Sequence, residues 1–342
     1  MNLKELSLNL GLSQTTVSRA LNGYPEVSEA TRARVKLAAT QHNYVPSTRA
    51  KGLATGKALA IGHVIPVRSQ HEMLNPVFGD FIAGAGEVYA RNGYEMILSI
   101  LDGSSTEEDV YRGMQARRSV DGVVVHGPKM ADPRIPLLHD IGLPFVVHGR
   151  ASEIDTPYSW IDVNNRSAFH NATKALIALG HTRIALLNGL EDMDFAQRRR
   201  AGFEDAMREA GLAIDPDQMT SGEMTEDIGY VATKMMLAAK TAPTAFVSSS
   251  LIMAMGARRA IEERGLKLGQ DVSVLTHDDN LSYLQNGGDD PVFSATRSSV
   301  REAGRLVAEM LLHHIAQPLA PPSSHLLDAE LVMGQSTGPA KH

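Results

Sequence analysis

Over the first sixty residues apolar positions recur at helical spacing in three short runs. From residue 59 onwards they gather into compact blocks separated by longer amphipathic stretches. In the first run Leu3, Leu6 and Leu10 share a helical face, with Asn2 placed to cap it. Gly11 can take the left-handed conformation that turns the chain, and Ser13 can cap the next helix. That helix, from Gln14 to Leu21, puts Val17, Ala20 and Leu21 on one side and leaves Gln14, Thr15, Thr16 and Arg19 outward; Asn22-Gly23 ends it. Ser28 opens a third helix, expected to carry Ala30, Val35, Leu37 and Ala38 inward. Two helices joined by a short glycine-containing turn make a helix-turn-helix.

The later pattern alternates. "ALAIGHVIP", "YEMILSIL", "DGVVVHG" and "PFVVHG" read as buried strands, with helices at "VFGDFIAGAGEVYARNG" and 107–117. After "YSWIDVNN" the alternation restarts: helix 168–179, strand "RIALLNG", helix 196–210, strand "TAFVSS", helix 252–263, strand "VSVLTHDD". Short apolar strands between helices imply parallel sheets covered on both faces, and two such sets imply two doubly wound lobes. Ligands of such folds meet the carboxyl ends of the strands, here in a cleft between lobes. The polar tail "GQSTGPAKH" is expected to be loose.

Charge sharpens this division. The 342 residues carry a net charge of −6, yet residues 1–57 hold eight Lys/Arg against three acids, a net of +5 that leaves −11 to the remainder. A basic head on an acidic body is the asymmetry expected when only the head meets phosphate, although a solvated charged surface would look the same on charge alone. The absence of cysteine excludes disulfides and thiolate metal sites. No basic-then-apolar leader opens the chain and no apolar run approaches the ~18 residues of a membrane span, so a soluble cytoplasmic protein without membrane partners is expected. The thirteen histidines form no HExxH, "ATGK" lacks the rest of a phosphate loop, and no GxSxG elbow occurs. Neither catalysis nor a cofactor or metal is expected.

The second helix has the chemistry of a base reader. A recognition helix enters the major groove by its first turn. Gln14 can pair with adenine, Arg19 with guanine, and the Thr15 methyl can meet thymine's methyl. Ser13, Thr16 and Ser18 suit phosphate oxygens. An ordinary solvated helix would carry similar residues.

The run "LSQTTVSRALNG…VSEATRARVKLAATQHNYVPSTRAKGLATGK" resembles the DNA-binding head and hinge of the LacI/GalR family of bacterial repressors. The shared positions are Leu12-Ser13, Thr16-Val17-Ser18-Arg19, Leu21-Asn22, Val27-Ser28, Tyr44, Pro46, Ala50 and Leu53. Ser7, where the family usually has a buried alanine, and Ser47, where it has asparagine, depart from the pattern. The body continues the resemblance through "RRSVDGVVVHG", "ALGHTRIALLNG", "RRRAGFEDAM" and "DVSVLTHDD".

The resemblance implies three parts: a helix-turn-helix head at 1–45, a hinge helix at 46–57, and a periplasmic-binding-protein-like body at 58–342. In that body lobe 1 would take about 58–160 and 291–322, and lobe 2 about 161–290 and 323–337. It places DNA contacts at Ser13, Gln14, Thr15, Thr16, Ser18, Arg19, Asn22, Ser28, Ala50 and Leu53, with Leu53 as a minor-groove wedge; outside this motif a core leucine would be the natural reading. The hinge, with Gly52, is too short to be helical alone in water and would order on DNA beside that of a second subunit.

For the cleft the resemblance points to Arg199 and Asp278 as effector ligands, though an Arg/Asp pair at a lobe interface can also be structural. Asn75, Phe78, His148, Arg150 and Ser250 are further candidates, and Trp160 is as readily core as cleft. Gly149, Leu251, Thr276 and His277 depart from common family residues. The implied protein is a homodimeric repressor on a pseudo-palindromic operator, governed by a small ligand. No leucine heptad follows Leu331 to make a tetramer. "VVHGR" and "SSSLIMAMGA" resemble regulators of α-glucoside uptake, which makes a sugar the expected effector. A non-catalytic sugar-binding or transport component with the same bilobed fold is the alternative.

Overall fold

The computed structural model describes residues 1–44, 56–66, 76–101 and 105–341. They form two compact units, Met1–Leu59 with Arg118–Val120, and Ala60–Arg117 with Asp121–His342. Ala50, Leu53 and Asn75, with most of the expected hinge, lie outside the described residues.

The first unit carries α1 (Leu3–Leu10), α2 (Gln14–Leu21) and α3 (Glu29–Gln41). Asn2 and Glu5 make a reciprocal capping box, the Asn2 side chain accepting from the Glu5 amide at 2.9 Å. Gly11, at φ +64°, closes α1 in the left-handed conformation, which lets α2 start three residues later. Leu6, Val17, Ala20, Val27, Val35, Ala38 and Ala39 form the core. Two expectations fail here: Ala30 and Leu37 are exposed, and Ala39 packs inward instead. Ser7, the departure from the usual alanine, is buried and donates to the Lys4 carbonyl at 2.8 Å, so its hydroxyl is satisfied within its own helix.

The second unit holds two six-stranded sheets. Sheet 1 contains β1 (Ala60–Pro66), β2 (Glu95–Leu101), β3 (Gly122–His126), β4 (Phe145–His148), β5 (Trp160–Val163) and β11 (Ser324–Leu327), in the order β11-β5-β4-β3-β1-β2. Around it lie α4 (Pro76–Arg91), α5 (Glu107–Arg117), α6 (Arg134–Ile141) and α11 (Val300–Ala316). Sheet 2 contains β6 (Ile184–Asn188), β7 (Met219–Ser221), β8 (Ala245–Ser248), β9 (Ser273–Asp278), β10 (Ser294–Arg297) and β12 (Glu330–Val332), in the order β12-β10-β9-β8-β6-β7. Its helices are α7 (Asn165–Ala178), α8 (Asp194–Glu209), α9 (Glu226–Leu237) and α10 (Leu251–Glu263).

The pleat explains why β6 is apolar from Ile184 to Leu187. Ala185 and Leu187 face α9 and α10, while Ile184 and Leu186 face α7 and α8, so both faces are dry. Among the strands described the pairings are parallel, as expected, except β10 with β12, an antiparallel edge. The chain crosses between the sheets after β5, between β10 and α11, and between β11 and β12. The expected lobe bounds therefore shift: 161–163 and 323–327 belong with sheet 1, and 294–297 with sheet 2.

The tail is not loose. Ser336 is fully buried, accepting from the Ser294 amide at 2.9 Å and donating to the Val274 carbonyl, and Ala340 donates to Leu179.

Helix pairs in this unit meet at glycines. A Cβ on Gly256 of α10 would stand 1.9 Å from the Glu226 carbonyl oxygen of α9, and one on Gly84 of α4 would stand 2.0 Å from that of Arg301 on α11. Backbone oxygens cannot move aside as a side-chain end can. Gly256→Ala is therefore expected to cost about 1–3 kcal/mol through forced separation of α9 and α10, read as a shifted urea midpoint with m unchanged.

Candidate functional site

In the first unit α2 presents Gln14, Thr15 and Arg19 to solvent, with Thr15 and Arg19 one turn apart on the same face. Ser13 caps this helix, its hydroxyl accepting from the Thr16 amide at 3.0 Å and lying 2.8 Å from Oγ1 of Thr16. Ser28 caps α3 in the same way through the Thr31 amide at 3.3 Å. Asn22 donates from its side chain to the Ser18 carbonyl at 2.9 Å, closing α2. Of the residues expected to meet DNA, then, Gln14, Thr15 and Arg19 are exposed. Ser13 with Thr16, and Ser28, build the starts of α2 and α3, two helix N-termini whose dipoles and amides favour an anion, whereas Ser18 and Asn22 lie at the opposite end of α2. Arg34 is turned to a different task, donating to the Leu10 carbonyl at 2.6 Å and tying α3 to the end of α1.

In the second unit a cavity of about 510 Å³ lies at the carboxyl ends of the strands of both sheets. His126 and His148 end β3 and β4 and Asp162 lies next to the end of β5 on one side; His277, Asp279 and Ser298 lie at the ends of β9 and β10 on the other. This is where doubly wound sheets hold ligands, because the loops after successive strands part there.

Arg199 of α8 reaches the cavity from a buried position. Its Nε donates to the Asn165 side chain at 2.7 Å, its Nη1 donates to the Ser249 carbonyl at 2.6 Å, and Phe169 and Phe195 lie against the guanidinium at 5.0 and 4.9 Å. Burial pulls its pKa down to about 10 against the opposing pull of Asp279 and Asp162. Asp279 is its counterpart: burial pushes the carboxyl up to about 6, Arg199 resists, and neighbouring Asp278 adds to the rise. Asp162 accepts from Arg150 Nε at 2.7 Å and from the Asn165 amide at 3.2 Å. Arg150 in turn lies over Trp160 at 4.9 Å, and Trp160 does not line the cavity.

Rings close the other side. Phe81 stacks on His148 at 4.3 Å and meets His126 edge-on at 4.9 Å, with Phe78 edge-on to His126 at 5.2 Å. Burial holds the histidines neutral, His148 at about 4 and His126 and His277 well below their ordinary value. Charged donors and acceptors at one end and neutral rings at the other suit a ligand with many hydroxyls and an apolar C–H face.

The cavity thus takes in Phe78, His148, Arg150 and Arg199, as the sequence led one to expect, and leaves out two other candidates. Asp278 faces away, its Oδ2 accepting from Arg297 at 3.1 Å and its Oδ1 from the Asn280 amide at 2.8 Å. Ser250 caps α10 through the Met253 amide at 3.2 Å and does not line the space. Alternation along β9 accounts for the first correction: Asp278 points to the opposite side from His277 and Asp279. Asp162, Asn165, His126 and His277 were missed; a polar residue at or near the end of an apolar strand was the available signal for Asp162, His126 and His277, and Asn165 opens the helix that follows β5.

A family model described as bacterial regulatory proteins, lacI family, matches residues 2–47, and one described as a periplasmic binding protein-like domain matches residues 173–337. The chain is 42% identical over 340 residues to the HTH-type transcriptional regulator AglR of Rhizobium meliloti (strain 1021), covering 99% of this chain and 95% of that protein. It is 33% identical to the HTH-type transcriptional regulator RafR of Escherichia coli over 91% of each. Among solved structures, the Lac repressor dimer bound to operator and the anti-inducer ONPF is similar with a TM-score of 0.84 and 26% identity over 99% of both chains. A complex of the transcriptional regulator CelR with cellobiose gives 0.72 and 26%, covering 98% of this chain and 99% of that one.

Proposed function

Because the chain belongs to the LacI family of DNA-binding transcriptional regulators, we propose that it is a repressor whose cleft takes a sugar, an α-glucoside foremost, and that occupancy resets its affinity for operator. The buried Arg199, set between Asp279 and Asp162 opposite a wall of neutral rings, carries this reading. A fixed guanidinium and two carboxylates can grip adjacent hydroxyls, and the rings cover the sugar's apolar face. The solved CelR complex holds cellobiose, itself a disaccharide. A homodimer would set two heads on the half-sites of a pseudo-palindrome. By linkage, a sugar that weakens operator binding is itself bound more weakly by the DNA complex. Among the described residues no helix is long and apolar enough to cross a membrane.

A thermal-shift screen of mono- and disaccharides, phosphorylated sugars and nucleobases tests the ligand class. Stabilisation by α-glucosides is the expected result; a response confined to nucleobases would refute it. The head's share is tested by anisotropy on genomic fragments captured by the protein. Affinity is expected to fall by roughly a thousandfold between 50 and 200 mM salt, the loss typical of several phosphate contacts, and a flat salt response would contradict DNA binding through this surface.

Asp279 adds a pH signature. Protonation below about pH 6 removes a charged acceptor, so sugar affinity is expected to weaken from pH 7.5 to pH 5 in calorimetric titrations, and Asp279→Asn to abolish the trend. The cavity histidines stay neutral over this range and do not contribute. Its contribution to stability runs the other way. A carboxyl whose folded pKa is raised holds more protons folded than unfolded, so stability of the ligand-free protein gains as pH falls through about 6.

A further inference from the structure

Behind the ring wall two imidazoles and a phenol stand in a row that the grip on the sugar does not use. His63, in the middle of β1, is fully buried with both ring nitrogens engaged. Its Nδ1 lies 3.0 Å from Nε2 of His126, and its Nε2 lies 3.3 Å from the hydroxyl of Tyr89 on α4. The two imidazoles stack with centroids 5.2 Å apart, and of the three residues only His126 lines the cavity. Burial keeps both imidazoles neutral, His63 at about 3.

A neutral imidazole has one N–H and one lone pair, so the row has two self-consistent arrangements. In the first, Tyr89 donates to His63 Nε2, His63 Nδ1–H donates to His126 Nε2, and His126 keeps its proton on Nδ1. In the second every bond reverses and His126 keeps a lone pair at Nδ1. A phenol is the better donor and an imidazole nitrogen the better acceptor, which favours the first arrangement, and bonds aligned in series reinforce one another.

We infer that Tyr89 and His63 form a relay that fixes the tautomer of His126, so that the cleft meets its ligand there with an Nδ1–H donor. His126 is then a specificity-determining contact for an oxygen that accepts, including a ring or glycosidic oxygen that has no hydrogen to give. Tyr89 and His63 are positioning residues that act through it. The inference rests on reading the cavity as a sugar site.

Nitrogen-15 labelling of the histidine rings in the full chain, with long-range proton–nitrogen spectra assigned by His126→Gln, reads the tautomer directly. His126 is expected as the Nδ1–H form in the wild type. His63→Leu withdraws the donor to Nε2 and is expected to shift His126 towards Nε2–H. His63→Gln, which can reach Tyr89 but not His126, should do the same while keeping the buried site polar. His63→Asn, whose amide nitrogen takes the place of Nδ1, should restore the wild-type form. With maltose as probe, calorimetric affinity is expected to fall about tenfold in His63→Leu and His63→Gln and to recover to within about twofold in His63→Asn. An Nε2–H proton on wild-type His126, or a tautomer indifferent to His63→Leu and His63→Gln, overturns the relay. A tautomer change without a change in maltose affinity overturns the specificity role. Should maltose fail to bind the wild type, the α-glucoside reading falls, while the ring spectra still decide the relay.

Discussion

Arg199→Leu is expected to bind operator as the wild type does and to be deaf to sugar. The guanidinium is held by Asn165 and the Ser249 carbonyl before any ligand arrives, so little ordering cost remains when a hydroxyl docks on it. Charge-assisted hydrogen bonds in such a setting contribute about 1.5–3 kcal/mol, so loss of one sugar contact weakens binding by roughly ten- to hundredfold, and loss of two by more. Leucine also removes the cation that opposes the rise in the Asp279 carboxyl, which should climb further and take up a proton nearer neutral pH. Both effects act on the cleft, so anisotropy without sugar should be unchanged while titration with sugar leaves the DNA bound. Equal loss of DNA binding and of sugar response would point to misfolding, and an unaltered sugar response would remove Arg199 from the site.

The second large effect lies in the head. Gln14→Ala and Arg19→Ala are each expected to weaken operator binding by about ten- to hundredfold, the range of a bidentate base contact, and to flatten the preference for operator over random DNA. Neither residue belongs to the core, so the thermal transition should stay in place. Arg34→Ala provides the contrast. It releases the tie from α3 to the Leu10 carbonyl, and its expected signature is lower stability with discrimination between operator and random DNA preserved. Discrimination that survives Gln14→Ala and Arg19→Ala together would move base reading away from α2.

Much of the head is legible from local chemistry in the sequence. The bounds of α2 follow from the Ser13 cap and the Asn22-Gly23 stop, whereas Arg199 was singled out only by the family resemblance of "RRRAGF". The errors have equally local causes. Leu37 stands two residues from Val35, about 200° around the helix, so the two cannot share a face, whereas Ala39 can join Val35. The tail looked loose because its residues are polar, but Ser336 is polar in order to bond the ends of β9 and β10. Asp278 was chosen over Asp279 by motif, and the pleat of β9 decides otherwise. The family resemblance set the three changes of sheet within a few residues, but their exact places could not be read from the apolar pattern, which is the same on either side of a crossing. His63 was passed over inside an apolar run; a lone imidazole in a fully buried strand signals that something must satisfy both its nitrogens.

The triple crossing between sheets has a consequence for biosynthesis. Strand β5 waits for β11 and helix α4 waits for α11, so the lobe whose first 100 residues emerge early cannot be finished until residue 327 has been made. At ordinary translation speeds that delay is roughly ten to thirty seconds. During it the flank of α4 bearing Phe81, Ala85 and Val88 has no lid, and apolar surface left open in this way is what makes a partly made chain prone to aggregate.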